Sequence, residues 1–166
     1  MAVTDLPSVP VDGNVSTIWV PVIADPAAPK VSELTASGVV DLSCYLVTNP
    51  TVGGDQATIA DPRACSLQDL EQPGKVTYSM SLNYIRNPLV PAKNKAYTTL
   101  APMTGGFVVQ RFGMLFSIAY AAAQIVDVWS VTCGLQVPQS ESGSVLKSNQ
   151  KMFVTGFTQL DVAVAA

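Results

Sequence analysis

The chain has 166 residues, 48% of them apolar and only 21 charged, about half the roughly 25% charged share of an ordinary globular domain. Its net charge is −3 and it contains no histidine. That excludes the basic field by which proteins grip phosphates, the Ser–His and Cys–His pairs of the commonest hydrolases, and Cys/His metal centres. A surface so poor in Lys, Glu, Asp and Arg is expected to be covered by copies of the chain itself.

The length suits a single domain that buries about 70% of the surface exposed by the unfolded chain. Residues 1–14 read as an N-terminal arm ahead of one domain over 15–166. The arm has neither a basic start nor an apolar core, so no signal peptide or anchor is expected, and folding in a cytoplasm follows. Asn14-Val15-Ser16 matches a glycosylation pattern by chance in that setting.

In chain order, Val15 to Ile23 is the first strand candidate, rich in β-branched residues. A short turn of helix is expected after Pro29, through Ser32, Glu33 and Leu34 to Gly38. Asp41 to Val47 is a second strand candidate, and Asn49-Pro50 with Gly53-Gly54-Asp55 punctuates a turn, as does Gln72-Pro73-Gly74. From Val76 to Tyr84 the residues Val76, Tyr78, Met80, Leu82 and Tyr84 alternate with Thr77, Ser79, Ser81 and Asn83, the pattern of a half-buried strand. Its small polar outer face, without Lys or Glu, suits another protein surface better than water.

Ala92 to Leu100 follows Pro91 and precedes Pro102, which predicts one short helix. Gly106 to Phe112 is a strand. Met114 to Gln124 is rich in alanine yet continuously apolar, and its conformation stays open. In the next strand Trp129, Val131, Cys133, Leu135 and Val137 alternate with polar or small residues, while Val126 and Val128 sit on the other parity. The phase change at Val128-Trp129 reads as a β-bulge or as a strand passing between sheets. Pro138 to Gln150 is a long polar loop, and Lys151 to Val164 closes the chain as strand. Strands at short intervals imply a β-sandwich or barrel.

Chemistry is sparse. Cys44, Cys65 and Cys133 lack metal spacing and are expected as reduced thiols. Asp69 and Glu71 on one extended face would stand roughly 6.5 to 7 Å apart, inside the range of inverting glycosidases, but the turn after them argues for a solvated edge. No phosphate loop or dinucleotide fingerprint is present. Trp19, Tyr45, Tyr84, Tyr97, Tyr120 and Trp129 could stack sugars or bases, although packing explains Tyr84 and Trp129 better. The reading is therefore of no catalytic residues, no metal and no cofactor.

Four stretches carry a family resemblance: "IWVPVIADPAAPKVSELTASGVVDLSCYL" from Ile18, "NKAYTTL" from Asn94, "VDVWSVTCG" from Val126 and "SVLKSNQKMFVTG" from Ser144. In these, which cover somewhat over a third of the chain in order, it resembles actinobacteriophage major tail proteins, the tail tube subunits of long-tailed phages with non-contractile tails. In the turn before "VDVW" the resemblance implies Gly and Asp, whereas this chain has Ala121-Ala122-Ala123-Gln124. A packed loop between subunits, rather than a long helix from Met114, is then expected there.

The resemblance implies a mainly β, tail-tube-like β-sandwich closing toward a barrel, with one short flanking α-helix and long assembly loops. It implies hexameric rings stacked into a hollow tube in the virion tail, assembled in the bacterial host cytoplasm. DNA and a tape measure protein would pass through the lumen, with tail tip and tail terminator proteins at the ends and no membrane insertion by this chain. Candidate inter-subunit contacts are Trp19, Pro21, Val145, Leu146 and Lys147, and segments 1–14 and 138–150 are the candidates for reaching a neighbouring ring. A lumen that passes DNA should be acidic or small and polar. Alternatives are a tail terminator, a tube subunit of a phage-like injection machine, or a carbohydrate-binding β-sandwich with an exposed aromatic platform.

Overall fold

The computed structural model describes residues 7–166, so the first six residues of the expected N-terminal arm lie outside the described residues. Eight strands are present: β1 (Val15–Val20), β2 (Val40–Asp41), β3 (Thr51–Asp61), β4 (Leu70–Ile85), β5 (Gly105–Phe112), β6 (Ile125–Gln139), β7 (Lys147–Val154) and β8 (Gln159–Ala163). They form one sheet in the order β2-β1-β5-β6-β7-β4-β3, with β8 also on β6, and every pairing is antiparallel. Two short helices, α1 (Val31–Leu34) and α2 (Lys95–Thr99), flank it. Among the described residues no helix is long and apolar enough to cross a membrane.

The sheet folds over on β6. The first half of that strand pairs with β5 and β8, and the second half with β7. Trp19 of β1 and Val108 of β5 thereby face Met80, Leu82 and Tyr84 of β4 across one core, which α2 seals with Ala96 and Leu100. A second core lies on the opposite face of β1, β5 and β6, where Ile18, Val20, Val109, Val126 and Val128 are covered by Leu34 of α1, Ile23 and Val164. A Leu46–Tyr84 bridge joins the β2 side back to β4, backed by the Ile85 amide donating to the Tyr45 carbonyl. The sandwich thus closes toward a barrel.

Two buried faces explain the phase change at Val128-Trp129. Pairing with β5 runs unbroken from Asp127 to Thr132, so β6 has no bulge against β5 at that point; on its other edge a register shift against β8 lies just before it, between Val126 and Val128, and the covered face changes. The bulge lies further on, between Cys133 and Gln136, where Gly134 and Leu135 together oppose Lys151. It turns Gln136 toward the core, where its amide donates to the Tyr97 and Leu100 carbonyls. Leu135 and Val137, expected to point inward, are consequently 77% and 53% exposed.

Other expectations are corrected. Of the Asp41 to Val47 candidate only Asp41 is strand, as the end of β2 (Val40–Asp41); the Asp41 carboxylate accepts from the Ser43 amide and the chain turns through Leu42 to Leu46. Gly53-Gly54-Asp55 and Gln72-Pro73-Gly74 lie inside β3 and β4 rather than in turns. The helix expected over Ala92 to Leu100 divides at Asn94 into a 3-10 turn, Pro91–Lys93, and α2. Strand pairing invades both ends of the 138–150 loop and leaves only 140–146 unpaired, while the last strand candidate divides into β7 and β8. Residues 114–124 form turns, not a helix.

Candidate assembly surfaces

β4 is longer than the sheet that supports it. It pairs with β7 only from Met80 to Ile85, and upstream of Met80 its partner among the described residues is β3 alone, the two pairing from Thr51↔Ser81 to Asp61↔Leu70 with a register shift between Gln56 and Thr58. The result is a two-stranded ribbon that projects about 30 Å at the usual strand rise. None of residues 51–79 is buried. Ile59, Leu67, Leu70 and Val76 are exposed on it, and an open groove of about 620 Å³ separates Val76, Thr77 and Tyr78 from Val154 to Thr158, with Phe157 92% exposed on its wall.

The half-sheet β6-β7-β4-β3 has two unlike free edges. Among the described residues β3 pairs with β4 only, and β6 from Gly134 onward pairs with β7 only. Because strands alternate direction across four members, these edges run antiparallel to each other. The outward face carries Ser79, Ser81 and Asn83, with the Asn149 amide donating to Asn83 Oδ1 at 2.8 Å. Beside them lie Leu135, Val137 and Phe153, the last under the Lys151 ammonium at 5.0 Å.

The sequence-predicted contacts are dispersed. Trp19 is 2% exposed and belongs to the core of the subunit, its indole lying where a Cβ at residue 106 would sit; as folded it offers no outer surface. Pro21 is exposed just beyond β1. Val145 and Leu146 are each 54% exposed in the loop between β6 and β7, and Lys147 opens β7 with its ammonium 2.9 Å from Glu141. Asp69 and Glu71 stand exposed near the ribbon tip, away from any enclosed site. Cys44 and Cys65 are exposed free thiols, and Cys133 is buried, where burial pushes its pKa up to about 11.

Sequence reasoning missed Arg111. Its side chain is fully buried although it is the only charge between Gln110 and Val126. The guanidinium donates to the carbonyls of Leu115, Ile118 and Ala119 and to Gln124 Oε1, and lies 4.6 Å over the Tyr120 ring. This network folds 113–124 into a loop that exposes Leu115, Phe116 and Ile118. Ala123 in that loop holds φ at 67°, a conformation that glycine favours.

Comparison with known proteins bears on this architecture. A family model described as phage tail tube protein matches residues 3–166. No curated protein matches the chain in sequence. Among solved structures, the chain is similar to one in the cryo-EM structure of the anti-feeding prophage (AFP) baseplate, 6-fold symmetrised, with a TM-score of 0.52 at 9% identity over 94% of this chain and 96% of the other. At that identity the likeness is one of fold.

Proposed function

Since the chain belongs to the phage tail tube protein family, a structural family of the virion tail, we propose that it is the major tail tube subunit of a non-contractile long-tailed bacteriophage. In this reading hexameric rings stack into a hollow tube that conducts DNA to the host cell. The observation that carries it is the ribbon. A two-stranded hairpin alone is marginal in water, and a chain that is 48% apolar leaves all of residues 51–79 unburied; a neighbouring copy supplies what the monomer lacks. Ring closure requires head-to-tail contact between unlike surfaces, and the antiparallel edges of β3 and β6 supply such a pair for continuing one sheet into the next subunit.

The outward face of β6-β7-β4-β3 is the proposed lumen lining. Among the described residues no element covers it, and its Ser79, Ser81, Asn83 and Asn149 side chains are uncharged, with Lys151 lying over Phe153 and Lys147 paired to Glu141 as cations of the same face. A tape measure protein would occupy the same lumen before DNA, with tip and terminator proteins at the tube ends and assembly in the host cytoplasm. Pro21, Val145, Leu146 and Lys147 remain the proposed inter-subunit contacts on the subunit surface. No catalysis is assigned to the chain.

Electron microscopy of the purified protein tests this reading. Rings or tubes are expected from the full chain, and a folded monomer from a variant in which residues 57–74 are replaced by a two-residue turn; tubes built by that variant would overturn the role of the ribbon. The fold likeness to a prophage baseplate chain keeps a second reading, a tube subunit of a phage-like injection machine. Particles carrying DNA support the first reading, and particles without a genome the second.

A further inference from the structure

β4 joins two regions of opposite charge. It is a single strand of 16 residues, about 50 Å from end to end at the usual rise. At its start lies the ribbon tip, flanked by Asp69 and Glu71; across residues 51–79 the carboxylates Asp55, Asp61, Asp69 and Glu71 outnumber the cations Arg63 and Lys75. Arg63 is moreover taken up by Asp61 at 3.1 Å. At its other end the chain enters residues 86–104, which contain Arg86, Lys93 and Lys95 and no carboxylate. The ion pairs among the described residues are Arg63–Asp61 and Lys147–Glu141, so these three cations have no carboxylate partner there.

The apolar groups match as well. Leu67 at the ribbon tip is fully exposed, and so is most of Leu89 at the basic end, with Val90 beside it 38% exposed. The basic end is held in shape before any partner arrives. The Asn87 amide donates to Asn94 Oδ1 at 2.9 Å, Asn94 Nδ2 donates back to the Asn87 carbonyl, and the Leu89 amide donates to Asn87 Oδ1 at 3.0 Å. Arg86 is steadied 4.8 Å over the Tyr97 ring.

Resting on the tail tube reading, we propose that the acidic ribbon tip of one copy docks on the basic Arg86–Lys95 segment of the next copy along the tube axis, Leu67 meeting Leu89. The occupant is a second copy because the two surfaces complement each other in charge and lie at opposite ends of one strand. Contacts between unlike ends of identical subunits propagate without limit when they relate copies along an axis rather than around it, as a tube requires. Charge complementarity of this kind sets polarity and register and suppresses tip-to-tip encounters.

The test uses two charge-reversed variants of the full chain, Lys93→Glu with Lys95→Glu, and Asp69→Lys with Glu71→Lys. All four side chains are exposed, so circular dichroism and melting temperature should match the wild type. Each variant alone should show a critical concentration for assembly raised roughly tenfold or more. Mixed, the two should co-assemble, since each tip then meets an end of opposite charge, and the fourfold variant should assemble by itself. Wild-type assembly should weaken between low and high salt. Either variant polymerising alone like the wild type, or a mixture that fails to recover, would overturn the docking; a wild-type chain that never polymerises would instead overturn the tube reading on which it rests.

Discussion

The Tyr84 hydroxyl donates a 2.9 Å hydrogen bond to Oε1 of Gln150, both side chains fully buried between the layers of the sandwich. The amide nitrogen of Gln150 in turn donates at 2.8 Å to the carbonyls of Leu100, at the end of α2, and Gly134, in the β6 bulge. One side chain thus ties three elements together. Gln150→Leu leaves a hydroxyl and a carbonyl without their partners in a dry site and should cost about 3 kcal/mol or more, against about 1 kcal/mol for Tyr84→Phe. Urea unfolding measures both, and equal small losses would show that the network does not hold the helix.

Arg111 should behave as the fastener of the 113–124 loop. Arg111→Met removes every guanidinium bond to Leu115, Ile118, Ala119 and Gln124 and should cost about 3 kcal/mol, with Arg111→Lys recovering only part because an ammonium lacks the planar fork. Hydrogen exchange of the loop amides should accelerate at least tenfold, while the β4 and β7 amides stay protected. Uniform acceleration across the molecule would argue for a global role instead.

Neighbouring glycines should respond differently to alanine. At Gly106 a Cβ would overlap the Trp19 indole, whereas at Gly105 the nearest side-chain atom, Thr132 Oγ1, is 3.9 Å away. Gly106→Ala should destabilise by about 2 kcal/mol through overpacking and shift tryptophan fluorescence; Gly105→Ala should be neutral or slightly stabilising. Reversal of that order would mean that the indole has room to move.

Asp127 supplies a pH dependence. Burial holds its carboxyl above the ordinary aspartate range, the Asp161 amide donating to it works in the opposite direction, and the Asp161 carboxylate raises it further. A folded-state pKa above the unfolded one gives stability that is fully present below the unfolded pKa and lost as pH rises through the folded pKa. Asp127→Asn keeps the acceptor and removes the charge, so it should raise the melting temperature at pH 7 and leave it unchanged at pH 3. An equal effect at both pH values would trace the change to packing.

The regular strands were legible because burial on one face imposes alternation. Met80, Leu82 and Tyr84, and likewise Trp129, Val131 and Cys133, are buried as their parity predicts. The ribbon was not legible, since neither face of it is buried in the subunit and Gly53-Gly54 and Pro73-Gly74 carry the residue types of turns. The bulge after Cys133 leaves no mark in hydropathy, so Leu135 and Val137 were assigned to the wrong face. Arg111 was hidden for another reason: a lone cation in an apolar strand gives no hint that its partners are carbonyls of a loop several residues on. Of the expected contacts, Val145 and Leu146 lie on the surface, whereas Trp19 has the same composition signal but sits in the core.

The bulge at Gly134 and Leu135 also takes up one residue of β6 that has no counterpart in β7. Downstream of it, β6 is half a repeat out of step with the strand upstream, and the inward position of Gln136 depends on that offset. Removing one of these two residues would erase the bulge yet leave Gln136 opposite Gln150 and inward, and Val137 opposite Asn149 and outward; it is straightening the strand with every residue kept that would drive Leu135 and Val137 inward and the core glutamine outward. The interior here has a reading frame that the extra residue keeps in phase: one codon lost within the bulge leaves it intact, one gained there would shift it, and Gly134 admits no side chain because a Cβ would meet the Lys151 carbonyl at 2.6 Å.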